Sequence, residues 1–362
     1  MHCLDLQKPD GRTMTLYGNI AVQVHGSVPS PSPEPLAANP HLRWHPLRGE
    51  WISYAAHRQG RTFLPPQYNP LAVTTDPAHP TELPAGEYDI AVFDNRFPSL
   101  VLTAHDAPQV TVPAAPATGL CEVVVFTQDP STSLGALPLP HIELLFQVWA
   151  DRTTRAARFP QLRYVLPFEN RGAEVGVTLH HPHGQIYAYP FVPPILSRMN
   201  SQEVTFYRGR GQGLLSDLIA AEQRAGLRML YAGERAAAFV PACARYPYEV
   251  WVAPVQPVAY FSDLSPAQRA DLARALKAVL LKYDGLWQRP FPYLMAWYQA
   301  PLDGQPHPEA HLHAEFYPPY RTRDRLKYLA GTEIAAGMFA MDVLPEDKAK
   351  ELQNVSITLD DL

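Results

Sequence analysis

The sequence predicts an α+β fold of two related halves, each mainly antiparallel sheet with helices packed on one side. Two observations carry this expectation. Short segments rich in β-branched and aromatic residues alternate with longer stretches of helical apolar spacing. The succession of strand, helix and a strand bearing His-x-His also occurs twice, at His181-Pro182-His183 and at His311-Leu312-His313.

The elements follow in order. Residues 1–38 lack sustained periodicity and close on Ser27-Val28-Pro29-Ser30-Pro31-Ser32-Pro33-Glu34-Pro35, whose missing backbone donors oppose pairing, so they read as a variable extension ending in a linker. Trp51–Tyr54, Tyr88–Phe93 and Cys121–Phe126 read as strands. From Ile142 to about Ala157, Leu144, Leu145, Val148 and Trp149 fall at helical spacing. Strands are expected at Arg163–Phe168, Val175–Leu179 and Gln185–Tyr189, which places His181 and His183 on a strand connection.

The second half, 196–345, repeats these parts after a first half at 39–195. A helix is expected from Ser197 to Ala225, stopped by Gly226. Strands follow at Arg228–Tyr231, Ala237–Val240 and Glu249–Val252. A helix then begins at Ser265-Pro266, a cap with proline at the first helical position, and runs to about Tyr283. Strands at Tyr293–Trp297 and around His311–Tyr317 complete the half, leaving 346–362 as a tail.

Composition narrows the function. The 362 residues are 46% hydrophobic, enough for a sizeable core. With 30 Lys plus Arg against 35 Asp plus Glu, no basic field marks a nucleic-acid binder, so small partners are expected. Cys3, Cys121 and Cys243 are scattered and odd in number, which argues against a disulfide framework and fits a reducing cytoplasm. No leader pattern and no apolar run of roughly 20 residues occurs, so neither export nor a membrane span is expected.

The chemistry concentrates in His181-Pro182-His183-Gly184-Gln185. Attack on phosphorus needs a nucleophile that is neutral near pH 7 and later leaves, and imidazole meets both conditions. A residue two positions earlier shares a strand face, so His181 can hold the tautomer of His183 through its carbonyl or its side chain. Gly184 is expected to let the backbone approach phosphate oxygens. Gln185 shares the face of His183. Its amide can stabilise an adduct but cannot protonate a leaving group, which favours transfer over hydrolysis.

Phe168-Glu169-Asn170-Arg171-Gly172, Gly176 and His181-Pro182-His183-Gly184-Gln185-Ile186 together resemble the active-site segment of galactose-1-phosphate uridylyltransferases, within the histidine-triad superfamily. The resemblance extends from about 41 to 345 through Pro46–Ile52, His57–Arg61, Phe93–Pro98, Pro247-Tyr248-Glu249 and His311–Pro319. It implies two histidine-triad-like halves and a ping-pong reaction. His183 would take UMP from UDP-glucose, release glucose 1-phosphate and pass UMP to a hexose 1-phosphate, giving UDP-galactose from galactose 1-phosphate.

By the same resemblance Arg58 and Arg61 contact nucleotide phosphates, Asp94, Asn95 and Phe97 form the uridine pocket, and Asn170, Thr178 and Gln185 contact phosphate oxygens. Glu333 stands near the hexose. The resemblance also implies a homodimer whose sites borrow residues across the interface.

Metal ligands depart from the family pattern. The family's zinc pair of cysteines is matched by Asn69-Pro70-Leu71-Ala72 and its later histidine by Pro130, which leaves His181 alone. A second site is matched by Met199, Tyr298, His313 and Glu315. No zinc is expected, since one ligand cannot build a tetrahedral site, and the covalent chemistry requires no cofactor. His181, His311, His313 and Glu315 form at most a weak ion site. Two alternatives stand beside the uridylyltransferase: a related nucleotidyltransferase or ADP-sugar phosphorylase, and a non-catalytic nucleotide-binding protein.

Overall fold

Segments that bury an apolar face while leaving backbone donors and acceptors unsatisfied must pair. Among the described residues of this chain eleven strands pair into one large sheet, and three small sheets stand beside it, one of them holding the expected strand at Trp51–Tyr54 against His41–His45. The computed structural model describes residues 1–60 and 68–358. The sheet strands are, in chain order, β1 (His2–Gln7), β2 (Thr13–Gly18), β3 (Ile90–Asp94), β4 (Leu120–Val125), β5 (Tyr164–Arg171) and β6 (His183–Tyr189), followed by β7 (Met229–Ala232), β8 (Ala236–Phe239), β9 (Val250–Pro254), β10 (Tyr293–Tyr298) and β11 (His313–Tyr317). Their spatial order is β1-β2-β3-β4-β6-β5-β10-β11-β9-β8-β7, antiparallel throughout.

The two halves meet where β5 pairs with β10, with Phe168 opposite Ala296 and Arg171 opposite Tyr293. Outward from this seam the order is the same on both sides: β6 then β4 in the first half, β11 then β9 in the second. The long helices α1 (Leu139–Ala156) and α4 (Pro266–Leu286) pack on each other. Leu145, Trp149, Leu276 and Val279 share one buried cluster with sheet residues Val124, Ile186, Val252 and Phe316. An aromatic knot of Phe146, Trp149, Phe261 and Trp297 lies inside it, with ring centroids 5.1–5.8 Å apart. Each such side chain contributes about 1.5–3 kcal/mol by leaving water.

Several elements depart from the sequence expectation, each for a local reason. Residues 1–38 are not a loose extension: β1 and β2 form a hairpin at one edge of the sheet, turning through Gly11 at φ +84°. Asp10-Gly11 between the alternating apolar residues Leu4, Leu6, Met14 and Leu16 is the hairpin signal that the proline run obscured. The stretch from Ser197 to Ala225 is two helices, α2 (Pro194–Arg210) and α3 (Leu214–Ala225), because Gly211 at φ +70° ends the first. Val175–Leu179 is not a strand. Gly172 and Gly176, at φ +100° and +82°, turn the chain around a single short helical turn. The tail contains α5 (Pro345–Gln353), whose Ala349 and Leu352 are fully buried. Ser265 caps α4 reciprocally with Gln268, as expected.

Candidate active site

His183 opens β6, opposite Val125, and along this strand the odd-numbered residues face outward while Gly184, Ile186 and Ala188 are buried. His183 and Gln185 therefore share one face. Gly184 is required by packing. A Cβ there would stand 2.7 Å from the Phe168 carbonyl oxygen and 2.8 Å from the Phe126 ring, which excludes a side chain.

The protonation of both histidines follows from their partners. His183 Nδ1 lies 2.7 Å from the His181 carbonyl oxygen, which can only accept, so Nδ1 carries the proton and Nε2 the lone pair. His181 Nε2 lies 2.7 Å from the Thr127 carbonyl oxygen and donates likewise. Its Nδ1 then accepts from the Asn69 amide Nδ2 at 3.0 Å. Asn69 cannot be turned over, because its Oδ1 accepts the Leu71 backbone N–H at 3.0 Å. Burial lowers the pKa of His181, opposed by its bond to Thr127 and by Asp129, so it stays neutral near pH 7.

A second chain of bonds fixes Gln185. The Phe97 N–H donates to Asn95 Oδ1 at 2.8 Å, which leaves Asn95 Nδ2 to donate to Gln185 Oε1 at 3.2 Å. The Gln185 carboxamide oxygen is thus committed, and its NH2 end is the one left for a ligand's oxygen.

His183 sits between two cavities. One, of about 520 Å³, has apolar walls from Leu71, Phe93, Val123 and Leu179 and polar groups from Asn95, Arg96, Thr178 and Gln185. The other, of about 290 Å³, is lined by Asn170, Arg171 and the hydroxyl run Ser131-Thr132-Ser133. Beside it Glu169, bonded by the Tyr293 hydroxyl at 2.9 Å, is pushed up to about 7 by burial. Arg171 is held by Asp284 at 2.8 and 3.0 Å.

The structure brings His181, His183, Gln185, Asn95, Phe97, Asn170 and Thr178 together around these cavities. Other expected residues lie elsewhere within the chain. The Asp94 carboxylate is turned away and accepts the Thr13 backbone N–H and hydroxyl at 2.7 and 2.9 Å. Arg58 spends a guanidinium N–H on the Phe97 carbonyl at 2.6 Å and lines neither cavity. Arg61 lies outside the described residues. Glu333 lies on an exposed turn, where backbone N–H groups, including those of Ala330 and Ala340, hold its pKa down at about 2. It too lines neither cavity. Sequence reasoning missed Arg96, Ser131–Ser133 and the role of Asn69. A buried imidazole beside an amide was the available signal for the last.

The second half repeats the histidine geometry. His313 Nδ1 donates to the His311 carbonyl and His311 Nε2 to the Pro254 carbonyl, both at 2.7 Å. Yet His313 is buried, 3.4 Å from Glu315, which Arg245 meets at 3.1 Å. Among the described residues no group of three or more His, Cys, Asp or Glu side chains is arranged to hold a metal. At His181 an amide nitrogen and a carbonyl engage the two ring nitrogens, so the donor set there does not fit zinc.

The chain matches the family model for the N-terminal domain of galactose-1-phosphate uridyl transferase over residues 32–193 and that for the C-terminal domain over 199–361. It is 36% identical to the galactose-1-phosphate uridylyltransferase of Thermotoga maritima, over 88% of this chain and 99% of the relative. It is 33% identical to that of Streptomyces lividans, over 96% of each. A solved uridylyltransferase structure superposes with a TM-score of 0.79 at 30% identity, over 87% of this chain and 98% of the other. An ADP-glucose phosphorylase from Arabidopsis thaliana superposes with a TM-score of 0.67 at 23% identity, over 88% and 100%, and shares the fold.

Proposed function

We infer the function of this chain from one premise: it belongs to the galactose-1-phosphate uridylyltransferase family. It is a nucleotidyltransferase with galactose-1-phosphate uridylyltransferase activity. The finer mechanism is our proposal. His183 Nε2 attacks the α-phosphorus of UDP-glucose, the bond to the bridging oxygen breaks, and glucose 1-phosphate leaves. A phosphate oxygen of galactose 1-phosphate then attacks the uridylyl-histidine, giving UDP-galactose and restoring the neutral ring.

The observation that carries this reading is the 2.7 Å bond from His183 Nδ1 to the His181 carbonyl, which keeps the nucleophilic lone pair on Nε2. The Gln185 NH2 is suited to a non-bridging oxygen of the adduct. The larger cavity, with its apolar walls, is suited to the nucleoside, and the hydroxyl-lined one to the sugar phosphate. No metal enters either step. The whole-length likeness to uridylyltransferases favours UDP-sugars over the ADP-sugars of the phosphorylase.

Arg58 and Glu333 line neither cavity of their own chain, and the segment bearing Glu333 exposes Tyr328, Ile334 and Met338. We therefore propose a homodimer in which each copy completes the other's site. No helix among the described residues is long and apolar enough to cross a membrane, and all three cysteines are free, which supports a cytoplasmic enzyme. Incubation with UDP-glucose and galactose 1-phosphate, followed by chromatography, tests the reading. UDP-galactose is expected, and its absence at saturating substrate refutes the assignment.

A further inference from the structure

The family match begins at residue 32, so the β1–β2 hairpin lies outside it. The hairpin is nonetheless fused to the larger cavity in two ways. Met14 and Leu16, with Leu6, Val22, Val24 and Val28 packed alongside, share a single hydrophobic cluster with Leu71, Phe93, Val123 and Leu179, the apolar walls of that cavity. Pro31, in the strap that follows, lines the cavity directly.

The second link is a buried polar cluster. Glu82 lines the cavity and is 5% exposed, an unfavourable place for a lone carboxylate that faces an anionic ligand. The hairpin neutralises it: Lys8 Nζ lies 3.0 Å and Arg12 Nη2 2.8 Å from Glu82 Oε2. Asp10, bonded to Arg12 at 2.7 Å, balances the second cation, and Ser30 in the strap donates to Asp10 at 2.7 Å. Lys8 also donates to the Pro29 carbonyl at 2.7 Å, tying the strap down. Arg12 Nη1 reaches the Asp94 carbonyl at 3.0 Å while Thr13 holds the Asp94 carboxylate, so the hairpin pins the residue beside Asn95.

We propose that residues 1–36 form the outer wall of the nucleoside pocket and set its affinity for the nucleotide, with Arg12 and Thr13 as positioning residues and Pro31 as a contact. This rests on the nucleotide reading above. The element acts on recognition of the nucleoside and not on the phosphoryl step, because it touches Asp94, Glu82 and the apolar walls, whereas His183 is oriented from His181.

Hydrogen exchange on the full chain, with UDP or with glucose 1-phosphate, tests it. UDP slows exchange in 93–98 and in 27–36 together, and glucose 1-phosphate slows neither. Protection of 93–98 without 27–36 overturns the strap while leaving the nucleotide reading intact; protection of neither overturns both. In kinetics, Pro31→Gly and Thr13→Val, both at positions with solvent access, raise KM for UDP-glucose roughly three- to tenfold, the loss expected for one contact. Their kcat and their KM for galactose 1-phosphate stay near wild type. A fall in kcat with unchanged KM for UDP-glucose in folded variants overturns the proposal.

Discussion

The Asn69 amide nitrogen stands 3.0 Å from His181 Nδ1, with the opposite ring nitrogen of His181 on the Thr127 carbonyl. A neutral amide thereby fixes a ring whose own carbonyl orients the nucleophile. Asn69→Ala leaves a buried acceptor unpaired and costs about 1–2 kcal/mol, with kcat falling roughly tenfold. Asn69→Asp keeps the size but offers an acceptor where the ring needs a donor, so it is expected to be at least as damaging. Steady-state kinetics at pH 7 check this; an Asp variant with wild-type kcat sinks the account. Because both ring nitrogens are engaged, metal analysis of the wild type is expected to find well under one zinc per chain.

His183→Ala abolishes the adduct and turnover. Intact-mass spectrometry after mixing with UDP-glucose alone shows added UMP on the wild type and none on the variant. An adduct retained in the variant places the nucleophile elsewhere.

Gln185 cannot supply a proton to water's attack on the adduct. Gln185→His can, and is expected to raise hydrolysis of UDP-glucose relative to transfer. An unchanged ratio refutes the role given to the amide, whose orientation through Asn95 also makes Asn95→Ala lower kcat.

Gly184→Ala tests the packing explanation. The added methyl meets the Phe168 carbonyl and the Phe126 ring, and overpacking of this kind costs about 1–3 kcal/mol. Denaturant titration reads the loss directly. Full stability with impaired activity would return the glycine to the phosphate role expected from sequence.

Glu203, on α2, is pushed up to about 7, first by burial and with Glu309 adding to it, while His313 and His307 oppose. A carboxyl raised in the folded state binds its proton more tightly there than when unfolded. Its stabilising effect is therefore present below the unfolded value near 4.5 and is lost as pH rises through about 7. Glu203→Gln removes this dependence, so the variant gains on wild type between pH 5 and pH 8, by on the order of 1–3 kcal/mol. Urea midpoints at the two pH values check the sign.

Much of this was legible in the sequence because it depends on periodicity and on one dense motif. The His-x-His repeat announced the two halves, and the alternation along β6 placed His183 and Gln185 on one face. What was not legible depends on partners distant in the chain. Asn69 and His181 are 112 positions apart, so their bond leaves no local pattern. The family resemblance put the Asp94 carboxylate in the uridine pocket together with its neighbour Asn95. A strand's alternation sends adjacent side chains to opposite faces, and Thr13 claimed this one. The hairpin itself was hidden by the proline-rich strap that follows it.

The seam between β5 and β10 gives the chain a mechanical property. The family's two domains divide between residues 193 and 199, yet at the sheet's centre there is no division: the halves are hydrogen-bonded strand to strand. A break at 194–198, in the first turn of α2, cuts the covalent chain without cutting the sheet, so the nicked protein stays one body. Either fragment made alone exposes a long, unshielded middle strand with a full row of unpaired donors and acceptors, a template for aggregation. The same row makes co-expressed fragments mutual templates, each supplying the edge that the other lacks.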